Sequence, residues 1–261
     1  MFQAELFLYT CSAALMSPSI SRELRHLCRQ SRIMNCLLVA ATSKEIAPFL
    51  KYYRAGNSRA DIDILITGIG LMAATYALTK QISIKRPGLI IQAGIAGCFD
   101  KNLSLGSVVV IKQDTIADLS VIENKELKTM FDLGLIKPGQ PPFQKGWLLN
   151  PHKELIKQTK LKAVKAVSVN HITTSKKIMR FYEMKFQPVI ESMEGAALHY
   201  VCLLEKIPFL QIRSISNYAG ERNKKKWEIK DSIANLNKEL IRIIEYPVSS
   251  IKHPATINPQ P

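Results

Sequence analysis

Glu194 stands in the run Glu191-Ser-Met-Glu-Gly-Ala-Ala197, among small residues where a helix can begin, and Asn217 closes the strand-like run Phe209-Leu-Gln-Ile-Arg-Ser-Ile-Ser-Asn217. A carboxylate and a carboxamide so placed suit a nucleoside, one group for the sugar and one for the base. An N-glycosidic bond breaks through an oxocarbenium-like sugar while negative charge gathers on the departing base. A fixed carboxylate that accepts hydrogen bonds from ribose hydroxyls tightens its hold as the sugar becomes cationic, so its contribution grows in the transition state. Glu194 fits that part. The leaving purine needs a proton or a strong hydrogen bond at N7 near neutral pH, and Asn217 is the candidate for it, with Ser216 positioning the base. The amide of Asn carries an acceptor oxygen and a donor nitrogen, a match for an N7 proton and an O6 carbonyl. Asp at that place would match adenine instead. The base indicated is therefore a 6-oxopurine such as hypoxanthine. Each residue also has an ordinary structural reading, Glu194 as a first-turn acid favoured by the helix dipole and Asn217 as a turn or cap residue.

The elements that must hold these groups alternate. Asn35 to Ala41, Asp63 to Thr67, Leu89 to Gln92, Val108 to Lys112 and Ala163 to Val169 are compact apolar runs bounded by breakers, the pattern of strands. Lys44 to Tyr53, Leu71 to Ile84, Lys153 to Thr159, Ala196 to Glu205 and Ile229 to Ile244 read as helices. That alternation predicts an α/β fold, a single-domain three-layer α/β/α arrangement around a central sheet. The segment Leu119 to Trp147, broken by Pro138, Gly139, Pro141 and Pro142, reads as irregular. Gly68-Ile-Gly70 opens a helix, but Met72 and Ala73 stand where a dinucleotide fingerprint needs its third glycine, so no dinucleotide site is expected.

The 261 residues suffice for one large core, and 47% hydrophobic residues place the chain in the globular class. The excess of 36 Lys and Arg over 21 Asp and Glu gives +15, a balance that raises nucleic acid as a partner. The basic residues are dispersed, however, and the tightest cluster, Lys224 to Lys226, lacks interleaved aromatics; nucleic acid is not expected. Cys11, Cys28, Cys36, Cys98 and Cys202 show neither disulfide nor zinc spacing, which points to a reducing cytoplasm. Residues 1-33 are expected to lie outside the fold, either through a start placed too far upstream or as an extension that assists assembly. Their apolar patch, Leu6 to Met16, is too short to span a bilayer, and arginines follow it where a secretory signal would have basic residues first; no membrane association is expected. Residues 247-261 are read as a disordered tail.

Across 34-246 the sequence resembles the purine nucleoside phosphorylase and nucleosidase superfamily, and within it most closely the futalosine hydrolases. The resemblance is carried by Asn35 to Glu45, Ile66 to Ala74, Ile90 to Asp100 with Leu105 to Val110, and the two runs quoted first, extended by Tyr218 to Trp227. It implies a nucleoside phosphorylase-like fold with a mixed sheet, no metal or organic cofactor, a small-molecule nucleoside substrate and a homo-oligomer. It also implies that Glu45 activates the attacking water and that Glu194 binds ribose, with Met193 beside the sugar and Ser192 among the contacts. Asn217 and Ser216 fall at the base. The stretch Gly94-Ile95-Ala96-Gly97, read as a turn, lies against the nucleoside, its glycines letting backbone approach a flat base. His171, with Ile172, falls where related nucleosidases stack an aromatic residue on the purine. Arg222 or a neighbouring Lys is suited to a carboxylate on the substrate, which a guanidinium grips bidentately. A futalosine hydrolase would release hypoxanthine and dehypoxanthine futalosine in a route to menaquinone. The alternatives are a methylthioadenosine/S-adenosylhomocysteine nucleosidase, a purine nucleoside phosphorylase, or a nucleoside-binding module without catalysis.

Overall fold

Apolar alternation and Gly breaks build ten strands and six longer helices in the computed structural model, which describes residues 35-245 apart from Arg59 and Lys125. The expectations for residues 1-33 and 247-261 lie outside the described residues. In chain order the elements are β1 (Cys36–Ala40), α1 (Ala47–Arg54), β2 (Ile62–Ile66), α2 (Leu71–Ile84), β3 (Leu89–Cys98) and β4 (Val108–Asp114). Then come β5 (Ser120–Glu123), β6 (Glu126–Thr129), β7 (Leu148–Leu149), α3 (Lys153–Gln158), β8 (Lys162–Ser168) and α4 (Lys176–Phe186). β9 (Ile190–Ser192), α5 (Gly195–Glu205), β10 (Phe209–Tyr218) and α6 (Ile229–Glu245) complete the order.

The α/β class with a central mixed sheet is as expected. β1, β2 and β3 run parallel, β10 pairs parallel with β3 and antiparallel with β4, and β8 is parallel to both β4 and β9. β9 returns antiparallel to the end of β3. The ring β3, β10, β4, β8, β9 therefore closes on itself, with β2 and β1 as a flange. Closure removes edges along the five strands. It also gives them an interior, filled by Ala96, Cys98, Val109, Ile111, Val164, Ala166, Ile190 and Ile215. Outside the ring, α2 and α5 pack together on β1, β3 and β10 through Leu37, Leu78, Ile90, Leu198, Val201 and Phe209. α1 and α6 form the second helical pair.

Three local expectations need correction. Ala93 to Cys98 is not a turn: β3 runs unbroken to Cys98, because each of these residues has a partner on β10. The segment 119-147 is not wholly irregular, since β5 and β6 pair as an antiparallel hairpin within it. Helix α1 starts at Ala47 with Pro48 in its first turn, where a missing N–H costs nothing. Lys44 and Glu45 belong to the turn before it, and that sets the direction of the Glu45 side chain.

Candidate functional site

Glu45 and Arg213 meet at Gly94, and Arg213 reaches on to a second carboxylate, Glu194. Glu45, 9% exposed, is reached by three donors: Thr42 N–H and Oγ1 at 3.0 Å each on Oε2, and Ile95 N–H at 3.1 Å on Oε1. The turn after β1 thus folds the acid back across the sheet onto β3. Glu194 follows β9 as the residue before α5, and its Oε1 accepts the Gly70 N–H at 3.1 Å. That N–H is delivered by a backbone with φ +95° at Gly70, a conformation that side chains disfavour. The expectation that Gly68-Ile-Gly70 serves a helix opening is met, with the added task of holding Glu194.

Arg213 joins the acids. It is 1% exposed at the middle of β10, opposite Gly94 in the β10–β3 register. Its Nη2 donates to Gln92 Oε1 at 2.8 Å and lies 3.6 Å from Glu194 Oε2. A buried guanidinium is tolerable only with such partners. Gly94 makes the approach possible: a Cβ there would lie 2.2 Å from Arg213 Nη1 and 2.9 Å from Glu45 Oε1. Gly94→Ala is accordingly expected to push the guanidinium and the Glu45 carboxylate apart and to lower kcat/KM by about 10²-fold, the effect of an ångström-scale misplacement. Steady-state kinetics on folded protein, with the melting curve as control, checks it.

Asn217 lies three residues further along β3, roughly 10 Å at strand spacing. It sits opposite Gly97, just past a bulge that leaves Ser216 unpaired between Ile215 and Asn217. On the other edge of Gly97 stands Glu191 of β9, three residues before Glu194. Glu191 and Asn217 thus flank Gly97 from the two edges of β3, with Glu194 three residues beyond Glu191. Asn217 is within β10, not in a turn after it. Its Nδ2 donates to Tyr218 O at 3.0 Å and its Oδ1 accepts from Ser216 Oγ at 2.9 Å. A carbonyl only accepts, so Tyr218 O fixes which end of the amide is nitrogen. Ala96 O lies 3.3 Å from the same Ser216 hydroxyl.

The other expected residues are distributed as follows. Ser192 is buried and Met193 half-buried, in the link from β9 to Glu194. His171 and Ile172 are exposed. Their loop is held from below by two carboxylates: Asp118 accepts the His171 N–H at 3.2 Å and Glu191 accepts the Thr173 N–H at 3.2 Å. Arg222 is exposed with its guanidinium 5.9 Å from the Trp227 ring centre, while Lys226 pairs with Glu221 at 3.0 Å. The structure therefore joins Glu45, Gly94 and Ile95 directly, links them to Glu194 through Arg213, sets Ala96, Gly97, Ser216 and Asn217 further along the same strand pair, and leaves His171, Ile172 and Arg222 at the surface of the chain.

Sequence reasoning missed Arg213, Gly70 and Thr42. A lone Arg inside Phe209-Leu-Gln-Ile-Arg-Ser-Ile215 was the available signal, because a charge in a buried strand requires a counter-charge. Behind the acids lies a second buried polar group. Burial pushes the Asp114 carboxyl up to about 6 against the pull of Ser168, Gln211 and Arg213, and burial lowers His199 to about 4. His199 is thus neutral and donates from Nδ1 to Leu148 O at 2.9 Å. Burial raises the thiols of Cys36 and Cys98 to about 12 and about 11, so neither serves as a nucleophile near neutral pH. Among the described residues no group of three His, Cys, Asp or Glu could hold a metal ion, and no helix is long and apolar enough to cross a membrane.

The profile of the phosphorylase superfamily matches residues 21–248. A 5'-methylthioadenosine/S-adenosylhomocysteine nucleosidase of Haemophilus ducreyi is 26% identical over 205 residues, 75% of this chain and 83% of that protein. A futalosine hydrolase of Thermus thermophilus is 25% identical over 182 residues, 69% and 80%. Among solved structures, a Helicobacter pylori 5'-methylthioadenosine/S-adenosylhomocysteine nucleosidase with butyl-thio-DADMe-Immucillin-A superposes with TM-score 0.69 at 20% identity, covering 83% of this chain and 100% of its own. The native futalosine hydrolase of the same organism gives TM-score 0.62 at 20% identity, covering 81% and 99%. These structural likenesses establish the fold.

Proposed function

The chain belongs to the phosphorylase superfamily, and on that premise we propose that it is an N-glycosyl hydrolase of 6-oxopurine nucleosides, a futalosine hydrolase. The relatives named above are nucleosidases of both kinds at nearly equal identity, so overall similarity does not select the base. The observation that carries the reading is the Asn217 amide. With Nδ2 turned to Tyr218 O and Oδ1 to Ser216, one N–H and one oxygen lone pair remain for a ligand. They fit O6 and a protonated N7 of hypoxanthine. A 6-amino group opposite the Nδ2 side would meet donor with donor.

In this reading Glu194 accepts from the ribose hydroxyls and Glu45 takes a proton from water. That water adds at C1′ as the bond to N9 breaks, and the purine leaves with the bonding electrons and takes up a proton from solvent at N7, whose N–H donates to Asn217 Oδ1. Arg213 neutralises part of the acidic pair, and the two carboxylates beside a single guanidinium leave the site net negative. A phosphate dianion would be repelled there, which favours water over phosphorolysis. The Arg222 and Lys226 loop supplies positive charge for a carboxylate at the far end of the substrate. Exposed Met72, Tyr76 and Leu204 on the paired helices α2 and α5 fit a homo-oligomer in which that face is covered. Cys36, Cys98 and Cys202, the buried free cysteines among the described residues, suit a cytoplasmic enzyme.

The test is base release from futalosine, inosine and methylthioadenosine, each with and without phosphate. Hypoxanthine from futalosine at a phosphate-independent rate is expected. Faster adenine release from methylthioadenosine would replace the base assignment with that of the relatives carrying that name, and a rate that rises with phosphate would make the enzyme a phosphorylase.

A further inference from the structure

Glu194 is the N-cap of α5. Its backbone is non-helical, with φ −129° and ψ −13°, and its carbonyl accepts the N–H groups of Ala197 at 3.1 Å and Leu198 at 3.3 Å. An N-cap side chain ordinarily accepts an N–H of the first helical turn, and without one those donors are unsatisfied. The Glu194 side chain makes no such bond. Its oxygens are directed to Gly70 N–H and Arg213.

The donor is satisfied from elsewhere. Ala196 N–H donates to Ser168 Oγ, at the end of β8, at 2.8 Å. Ser168 has one hydroxyl hydrogen, and that hydrogen goes to Asp114 Oδ1, at the end of β4, at 3.0 Å. Both residues are fully buried. Because the hydroxyl donates to the carboxylate, its lone pairs face the helix. Gly195 gives the carboxylate room: a Cβ there would lie 2.2 Å from Asp114 Oδ2 and 2.1 Å from Gln211 Nε2.

We propose that Ser168, oriented by Asp114, caps helix α5 in place of Glu194 and is thereby a positioning residue that leaves the Glu194 carboxylate free to face the sugar. A glutamate bonded to its own first turn would be folded back on α5 and lost to the site. The part of this inference that concerns catalysis rests on the reading of Glu194 as the ribose ligand; the capping part does not.

Amide exchange at Ala196 tests the cap without any assay of activity. Ser168→Ala is expected to speed exchange of that amide at least about tenfold, while Ser168→Thr, which keeps the hydroxyl, and Glu194→Gln leave it near the wild-type rate. Faster exchange in Glu194→Gln, or unchanged exchange in Ser168→Ala, overturns the proposal; if Ser168→Ala does not fold, the Thr and Gln variants still decide it. A double-mutant cycle on base release tests the positioning. Ser168→Ala should lower kcat by about 10-fold to 10²-fold with KM nearly unchanged, and by less than about threefold in the Glu194→Gln background. The loss of melting temperature from Ser168→Ala should be similar in both backgrounds. Additive losses in kcat would assign Ser168 to stability alone. A chain that hydrolyses no nucleoside while its Ala196 exchange follows the expected pattern would remove the functional reading and keep the cap.

Discussion

Glu45→Gln is expected to slow base release by roughly 10²–10⁴-fold, the span associated with loss of a general base. The structure makes Gln a revealing replacement because both carboxylate oxygens already face donors, Thr42 on one side and Ile95 on the other. An amide offers only one oxygen. Whichever way it turns, its NH₂ confronts a backbone N–H, and one half-buried donor loses its partner at a cost of about 1 kcal/mol. Two effects therefore accompany the substitution, and they separate experimentally. The stability loss appears as a melting shift of a few degrees, on the scale expected for a chain of this size, and is independent of substrate. The rate loss appears in kcat on fully folded protein well below that transition. A solvated acid beside Lys44 would show neither effect. A kcat within about threefold of wild type would return Glu45 to a purely structural part, holding the β1 turn to β3.

Legibility followed the physics of each element. Leu71 to Ile84 was readable to the residue because Gly70 stops the preceding chain and the apolar spacing starts at once. Glu194 drew attention through the small residues Gly195, Ala196 and Ala197 that follow it, although the same run carries a second carboxylate, Glu191. The closure of the sheet was not. It depends on β9, a strand of three residues, Ile190–Ser192, too short to show period-two alternation and carrying a buried Glu in its middle. Gly94 to Gly97 looked like a turn because glycine weakens strand propensity. In the structure, space for Arg213 and Glu45 requires Gly94, and the neighbouring β10 supplies the pairing that glycine alone would not favour. Asn217 was readable as a residue type but not as an orientation, since Tyr218 O and Ser216 fix the amide only once the bulge at Ser216 has formed. α4 escaped notice although Ile178, Phe181, Tyr182 and Phe186 repeat at helical spacing, because flanking lysines mask the stripe.

Asn217→Asp should reverse the preference between bases, shifting the ratio of kcat/KM for a 6-oxopurine over a 6-aminopurine nucleoside by about 10²-fold or more toward the amino form. A site built on one hydrogen-bond pattern rejects the other strongly because a buried group is left unpaired. In the wild type the amide nitrogen is pinned by Tyr218 O at 3.0 Å, so the donor toward O6 is there before substrate arrives. The substitution replaces that nitrogen with oxygen. An ionised carboxylate at this position would face the Tyr218 carbonyl oxygen to oxygen and would be driven to rotate away from it, and a carboxyl protonated on the oxygen facing N7 donates to N7 while its other oxygen accepts from a 6-amino group. Ser216 remains to orient it in either case. The substitution thus converts the site through one atom, with Glu45, Glu194 and Arg213 untouched and the sugar chemistry unchanged. Initial rates of hypoxanthine and adenine release from a matched pair of nucleosides, differing at position 6 alone, measure the ratio directly. If the ratio stays within about threefold, base recognition lies elsewhere than Asn217, and the assignment of a 6-oxopurine loses its support while the carboxylate pair linked through Arg213 keeps its own.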